Sequence, residues 1–470
     1  MAWPATPGLT RYVGEFILNT RYEEIPAEVI ALGKKSILDG LGLAVAGAKA
    51  PSGPLVLEYL RGEGNCAGSY SVLGTSLKTS ARSAAFANGV AMHAEDFDDT
   101  QLAGEPSRVY GLLCHPTSPV LPPTVVLTQP GRHSGRDFLL AYHLGVEVET
   151  KIAEAISPNH YIQGFHTTGT IGTFGSAAAS ARLLGLNLTE TLRTLGIAGS
   201  EAAGVRENFG TMTKPFHAGR AAANGLFAAQ LAKLGWTASE EILEAPLGFF
   251  HAAGGSYEYR PDLLLHKLGH PWTFAKPGVS IKPFPSGSLT HPAMGLMQEL
   301  IRKNHLQPDE IEKVDIGVNS HNVKTLLYSD PHTGLEAKFS MQYCLAVLLV
   351  NHGQAGLAQY TTAAVQQPAV QAMVKRVHVY ADARANAAGF DKMTSFLAIH
   401  LKDGRTLSGR VDFAKGSPAN PMSYDEVAEK FYGCCEFAGW ERSRARQVVG
   451  LVAKLETLPA ASALTHLLAS

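Results

Sequence analysis

The sequence predicts a mainly α protein with an α+β lid: a large all-helical domain formed by both termini, and a smaller α/β lid domain inserted between them. Three observations predict this. Stretches rich in Ala, Gly and Ser fill the first half of the chain. Runs that alternate apolar and polar with period two follow after about Pro271, as half-buried strands do. Helical patterning then returns toward the C-terminus. At 470 residues the chain exceeds what one core ordinarily organises, so two domains are the natural expectation.

The elements follow in order. Pro26 opens a helix through IPAEVIALGKKSILDGLGLAVAGA, since Pro suits a first helical turn. Between Ile37 and Val45 only Asp39 is charged, so this helix is expected to be buried on most sides. Ser80–Phe97, Thr170–Leu186 and His217–Trp236 are dominated by small residues, which let helix backbones approach closely. Val314–Ser320 and Val374–Asp382 read as strands. Asp403-Gly404 divides two further runs as a hairpin turn does. Lys338–Val350 reads as a buried helix. Ser423 with Glu426 forms a capping-box pattern that opens the helical return. The domain limits expected from this are 1–275 with 416–470, and 276–415 for the lid.

Composition narrows the function. Hydrophobic residues make up 45% and charged residues 17%, as in a well-packed globular protein. Lys+Arg 40 against Asp+Glu 41 leaves no basic excess for nucleic acid or a membrane surface, so any cationic site must be built locally. The cysteines Cys66, Cys114, Cys344, Cys434 and Cys435 lack metal-site or cluster spacing. Their scarcity fits a reducing compartment. No secretory leader and no membrane-length apolar run is read, so a cytoplasmic protein is expected.

Five segments place titratable residues among small or apolar ones. HAEDFDDTQ gathers Asp96, Asp98, Asp99 and Thr100 at the end of an Ala-rich helix, against its macrodipole. Such a cluster is usually a solvated turn; alternatively a carboxylate here orients a His or Lys. The EF-hand Gly and Glu are missing, so no metal is expected. LCHPTSPVLPP carries His115. YIQGFHTTGTIGTFG carries His166 in a Gly/Thr loop leading into a helix N-terminus, where backbone N–H groups can receive an anion. A His there can serve as acid or base near neutral pH. NFGTMTKPFHAGRAAANG carries Lys214, His217 and Arg220 at a helix start, a candidate carboxylate-binding set against the alternative of a solvated basic turn. VSIKPFPSGSLTHPA places Lys282 and His291 around a Pro/Gly-rich turn near the expected domain boundary.

DFDDT, HPTSPVLP, GFHTTGTIGTFGSAAASARLLGL, GTMTKPFHAGRAAANG, IKPFPSGSLTHPA and EAKFSMQY, in this order between about Ile37 and Met422, together resemble the MmgE/PrpD family. That group includes 2-methylcitrate dehydratases, cis-aconitate decarboxylases and iminodisuccinate epimerases. The resemblance implies a helical domain from both termini, an α/β lid, a homodimer, and neither metal nor organic cofactor. It implies a cleft lined by Asp96, Thr100, His115, His166, Lys214 and Lys282, with Tyr328 of LLYSDPHTG on the lid side. The sequence departs from the family pattern twice. Gln101 and the inserted LAGEPSRVYGLLC follow DFDDT, and Gly287 stands where the decarboxylase branch has a histidine.

The reaction expected is proton abstraction α to a carboxylate of a small di- or tricarboxylate, as in a hydro-lyase or an epimerase. Decarboxylation ranks behind these, as does a silent carboxylate-binding relative. Such a carbanion needs preorganised cations, a part suited to Lys214 and Lys282. His166 would take the proton, and His115 would protonate the leaving group or the opposite face. Asp96 would orient an imidazole. Thr100, Tyr328, His217 and Arg220 would bind substrate.

Overall fold

The computed structural model describes residues 8–64, 68–101, 114–156, 159–254, 259–389 and 392–469. The chain is mainly α and divides into two compact units. One comprises Met1–Val279 with Tyr424–Ser470, and the other Ser280–Ser423. Among the described residues no helix is long and apolar enough to cross a membrane.

Among the described residues the regular structure of the first unit is helical apart from a strand pair, Tyr70–Ser71 with Lys78–Thr79. Its interior is built from the helices Ala81–His93, Thr117–Thr128, Gly135–Ile156, Gly172–Leu184 and Thr213–Lys233, with Ala27–Gly47 beside them. Small residues let these helices pack closely. A Cβ on Gly89 would lie 2.8 Å from Gly219 Cα, and one on Gly219 would lie 2.6 Å from the Phe86 carbonyl oxygen. Ala81–His93 and Thr213–Lys233 therefore cross almost backbone to backbone. The helix expected to be buried on most sides is so: Ile37 through Gly47 are all buried.

The chain's end returns to its beginning through a buried ion pair. Lys430, on the helix Tyr424–Phe437, lies 2.5 Å from Asp39 on Ala27–Gly47. Its ammonium also donates to the Phe97 carbonyl at 2.8 Å and sits 3.7 Å above the Phe97 ring. One lysine thus ties both ends of the unit to the acidic DFDDT segment.

The second unit holds a four-stranded sheet in the order Val377–Ala381, Ile311–Val318, Ser395–Leu401, Thr406–Val411. The first pair is parallel and the others antiparallel. The Asp403-Gly404 hairpin joins the last two strands, with Gly404 at φ 88°. Residues 374–376 stay outside the strand expected there. Pro368 opens a helix that runs through Val374, and the ladder begins at Val377. Met341–Val350 is buried along nearly its whole length, and the Ser340 side chain caps it by accepting from the Tyr343 N–H at 3.1 Å.

Candidate active site

The site begins where the Ala81–His93 helix stops. Asp96 takes a left-handed conformation, φ 51°, which turns the chain back after His93. Phe97 is held by Lys430, so Asp98 and Asp99 are carried inward instead of into solvent. The solvated-turn reading of this segment is therefore replaced: Asp96, Asp98, Asp99 and Thr100 are all buried.

The two inner aspartates fasten the HPTS segment. Asp99 accepts from the Thr117 N–H at 3.2 Å and from its hydroxyl at 2.6 Å, at the start of the helix Thr117–Thr128. Ser118 Oγ donates to Asp98 Oδ2 at 2.5 Å. Gln101 N–H donates to the Cys114 carbonyl at 2.9 Å, drawing the flanks of the inserted segment together. Residues 102–113 of that insertion lie outside the described residues.

Four imidazoles meet around this anchor. His93 Nδ1 is 2.8 Å from Asp98 Oδ2, and His115 Nδ1 is 3.2 Å from Asp98 Oδ1. The His93 and His115 rings meet edge to face at 4.4 Å, and His93 stacks on His166 at 5.7 Å. His166 Nδ1 lies 3.0 Å from His217 Nδ1. Backbone bonds fix the rings. His115 N–H donates to Thr168 Oγ1 at 3.1 Å, and His166 N–H to the Gly204 carbonyl at 3.0 Å. His217 and Lys214 share the helix Thr213–Lys233, whose first turn brings the lysine ammonium to Asp96 at 2.5 Å and over the Phe209 ring.

Burial decides the charges. It pushes His93 down to about 3, against the pull of Asp98. It lowers His166 well below its ordinary value, assisted by His93 and Lys214, and lowers His217 in the same sense. These rings are neutral at pH 7. Burial alone would raise Asp98, but His115 and His93 hold it well below the usual carboxylate range. Burial raises Asp99 to about 7, opposed by Thr117 and reinforced by Asp39 and Asp98. Two adjacent carboxyl groups are thereby driven apart, one ionised and the other poised to exchange its proton near neutral pH.

The fold thus brings together Asp96, His115, His166, Lys214 and His217 of the residues singled out from sequence. Thr100 follows on the same buried segment, with its hydroxyl unpartnered among the described residues. Arg220 diverges: it pairs with Glu201 at 3.7 Å and lines a separate cavity of about 830 Å³ with Tyr59, Phe86 and Phe216. Lys282 is buried and Tyr328 partly exposed in the second unit. The carboxylate contacting two imidazoles is Asp98, where Asp96 was expected to orient one; Asp96 pairs with Lys214. His93 was missed. Its only signal is its place in HAEDFDD, where one helix end can present a His and a carboxylate to each other. His93, Asp98 and His115 also offer ligand atoms all within 4.8 Å of one another, a spacing a divalent ion could use.

The MmgE/PrpD N-terminal domain matches residues 11–262 and the MmgE/PrpD C-terminal domain matches residues 284–455. A cis-aconitate decarboxylase of Homo sapiens is 30% identical over 452 residues, covering 94% of this chain and 90% of its own length. That of Mus musculus is 31% identical, covering 94% and 89%. One from Aspergillus terreus (strain NIH 2624 / FGSC A1156) is 27% identical, covering 99% and 96%.

Proposed function

The chain belongs to the MmgE/PrpD family, and we propose that it is a lyase that forms and quenches a carbanion beside a carboxylate of a small di- or tricarboxylate. The relatives move decarboxylation of a cis-aconitate-like acid from second place to first. The observation that carries the reading is a buried imidazole backed by an ionised carboxylate, His115 with Asp98, in one cluster with Lys214.

The chemistry asks for those groups. Loss of CO₂ from a β,γ-unsaturated carboxylate leaves its bonding electrons as an allylic carbanion. In a cis-aconitate-like substrate that charge spreads to the carbon beside a second carboxylate, where a proton completes the reaction. A fixed cation stabilises the charge as it develops, the role proposed for Lys214. Protonated, the His115–Asp98 pair delivers the proton; neutral, the same imidazole removes one, as a dehydration or epimerisation needs. His166 is proposed as the second acid–base group, its buried Nε2 unpartnered among the described residues. The Thr100 hydroxyl is proposed to bind a substrate carboxylate. Lys282 and Tyr328 are proposed on the motif resemblance alone, as is a homodimer, which light scattering on the purified chain tests.

Hydro-lyase or epimerase chemistry is the second reading, favoured by Gly287. Where the decarboxylase branch has an imidazole, this turn offers a backbone N–H that donates to the Lys338 carbonyl at 2.9 Å. Proton NMR in D₂O with cis-aconitate and β-hydroxy and β-amino di- and tricarboxylates separates the two. CO₂ release with deuterium in the product supports the first reading. Alkene formation or α-exchange without CO₂ supports the second. Silence across the panel, with the protein folded, rejects both.

A further inference from the structure

We propose that the cavity of about 830 Å³ beside Arg82 and Arg220 is a second ligand site, built for a small amphipathic carboxylate with an aliphatic or aromatic body. The inference stands apart from the reading of the imidazole cluster. Among the described residues neither Lys214 nor any of the four imidazoles lines this cavity.

The helices Ser52–Gly62, Ala81–His93 and Thr213–Lys233 wall it. On the last, Thr213, Phe216, Arg220 and Ala223 recur at helical spacing and share one face, while Lys214 and His217 follow one residue further round. The volume falls within the roughly 300–1,000 Å³ of small-molecule sites. The walls suit a hydrocarbon body. Leu60, Val90 and Ala223 are buried there, and the Phe86 and Phe216 rings meet edge to face at 5.8 Å. Leu55, Tyr59, Met212 and Phe216 line the same cavity yet are exposed. Large apolar groups left to water in one place mark a binding surface.

The polar groups specify the ligand's charge. Among the described residues no Asp or Glu lines the cavity, but two guanidiniums do. Arg82 is held in place: its guanidinium carbon lies 3.8 Å from the centre of the Phe227 ring, and Nη2 donates to Asn224 Oδ1 at 3.3 Å. Arg220 meets Glu201 only at 3.7 Å, beyond hydrogen-bond reach. One carboxylate thus answers two cations. Burial lowers the Arg82 pKa from its ordinary value and the Arg220 charge lowers it further, so the two guanidiniums repel each other. Both stay protonated at neutral pH. A ligand carboxylate relieves that repulsion and matches the guanidinium fork. A purely polar anion would leave the aromatic wall in water. A second copy of the chain would cover the apolar groups too, but paired cations select for an anion rather than for an apolar surface alone.

The test is ligand-observed proton NMR on the purified full chain, titrated with octanoate, hexanoate, butanoate and n-octylamine. Octanoate should bind saturably, with affinity rising up to about fourfold per added methylene along the series. The amine should not compete. Arg82→Gln and Arg220→Gln should each weaken octanoate about tenfold; if one fails to fold, the other decides. The Lys214→Met/Asp96→Asn double variant should bind octanoate as the wild type does. Octanoate binding that this double variant loses, with both arginine variants unaffected, assigns the ligand to the imidazole cluster and overturns the proposal. Equal binding of octanoate and octylamine overturns it as well, because the arginines would then select nothing. So does the absence of saturable binding at millimolar octanoate. A dimer that Leu55→Glu takes apart, in a wild type that binds no octanoate, gives the face to a second copy instead.

Discussion

Three aspartates within four positions behave differently because each meets different neighbours. Asp96 faces the Lys214 ammonium, Asp98 two imidazoles, and Asp99 the hydroxyl and N–H of Thr117. Lys214 is the residue where charge matters most. Lys214→Met should lower turnover by about 10²- to 10³-fold, as removal of one preorganised donor does. It should also lower the melting temperature, since it removes the ammonium paired with the buried Asp96 carboxylate. Adding Asp96→Asn should recover stability but not turnover. Steady-state kinetics with thermal melts check this, and a folded Lys214→Met at wild-type rate would remove the lysine from the chemistry.

At the scale of elements, the site depends on how closely two helices cross. Ala81–His93 delivers His93 and, just beyond it, Asp96; Thr213–Lys233 delivers Lys214 and His217. Their separation is set at Gly89 and Gly219. Gly219→Ala places a methyl against the Phe86 carbonyl and Val90, so the helices must part. Overpacking of this kind costs about 1–3 kcal/mol. Circular-dichroism melts should show that loss, and kcat should fall although no polar group is changed. Wild-type activity in a destabilised Gly219→Ala would mean that the site tolerates a wider crossing.

At the scale of the whole molecule, a neutral imidazole buried away from the cluster contributes to the response to acid. His160 accepts from Thr170 at Nε2, leaving Nδ1 to donate to the Ala253 carbonyl at 2.9 Å, and burial lowers it to about 4. Unfolded histidine titrates near 6.5, so as pH falls the unfolded chain binds protons first. The contribution of His160 to stability is therefore complete above about 6.5 and is lost between there and 4, by about 3 kcal/mol. Urea titrations across that range should show His160→Asn losing less stability than the wild type as pH falls, a difference in slope of about one proton. An unchanged slope would mean that His160 is not buried neutral in the native state.

The sequence by itself determined the mainly α class, the buried character of Ile37–Val45, the sheet-forming region after Pro271 and its hairpin. Periodicity and turn chemistry are local, so each can be read from neighbours along the chain. Order and wording of the motifs were enough to resemble the right family. The imidazole cluster was legible in part: His115, His166, Lys214 and Asp96 stood out because polar residues interrupt small ones. His93 did not stand out, because its partner is set by a left-handed turn at Asp96. Nor did Arg220's separation from the cluster, because sequence spacing gives no distance across the fold. The aspartates' charge states were beyond reach as well. A carboxyl group's proton depends on which dipoles and charges surround it once water is excluded, and those come from separate elements that only folding brings together. Only the tertiary structure, by burying Asp98 between two rings and Asp99 beside Thr117, decided which of two adjacent identical side chains is held ionised and which is pushed up toward neutral pH.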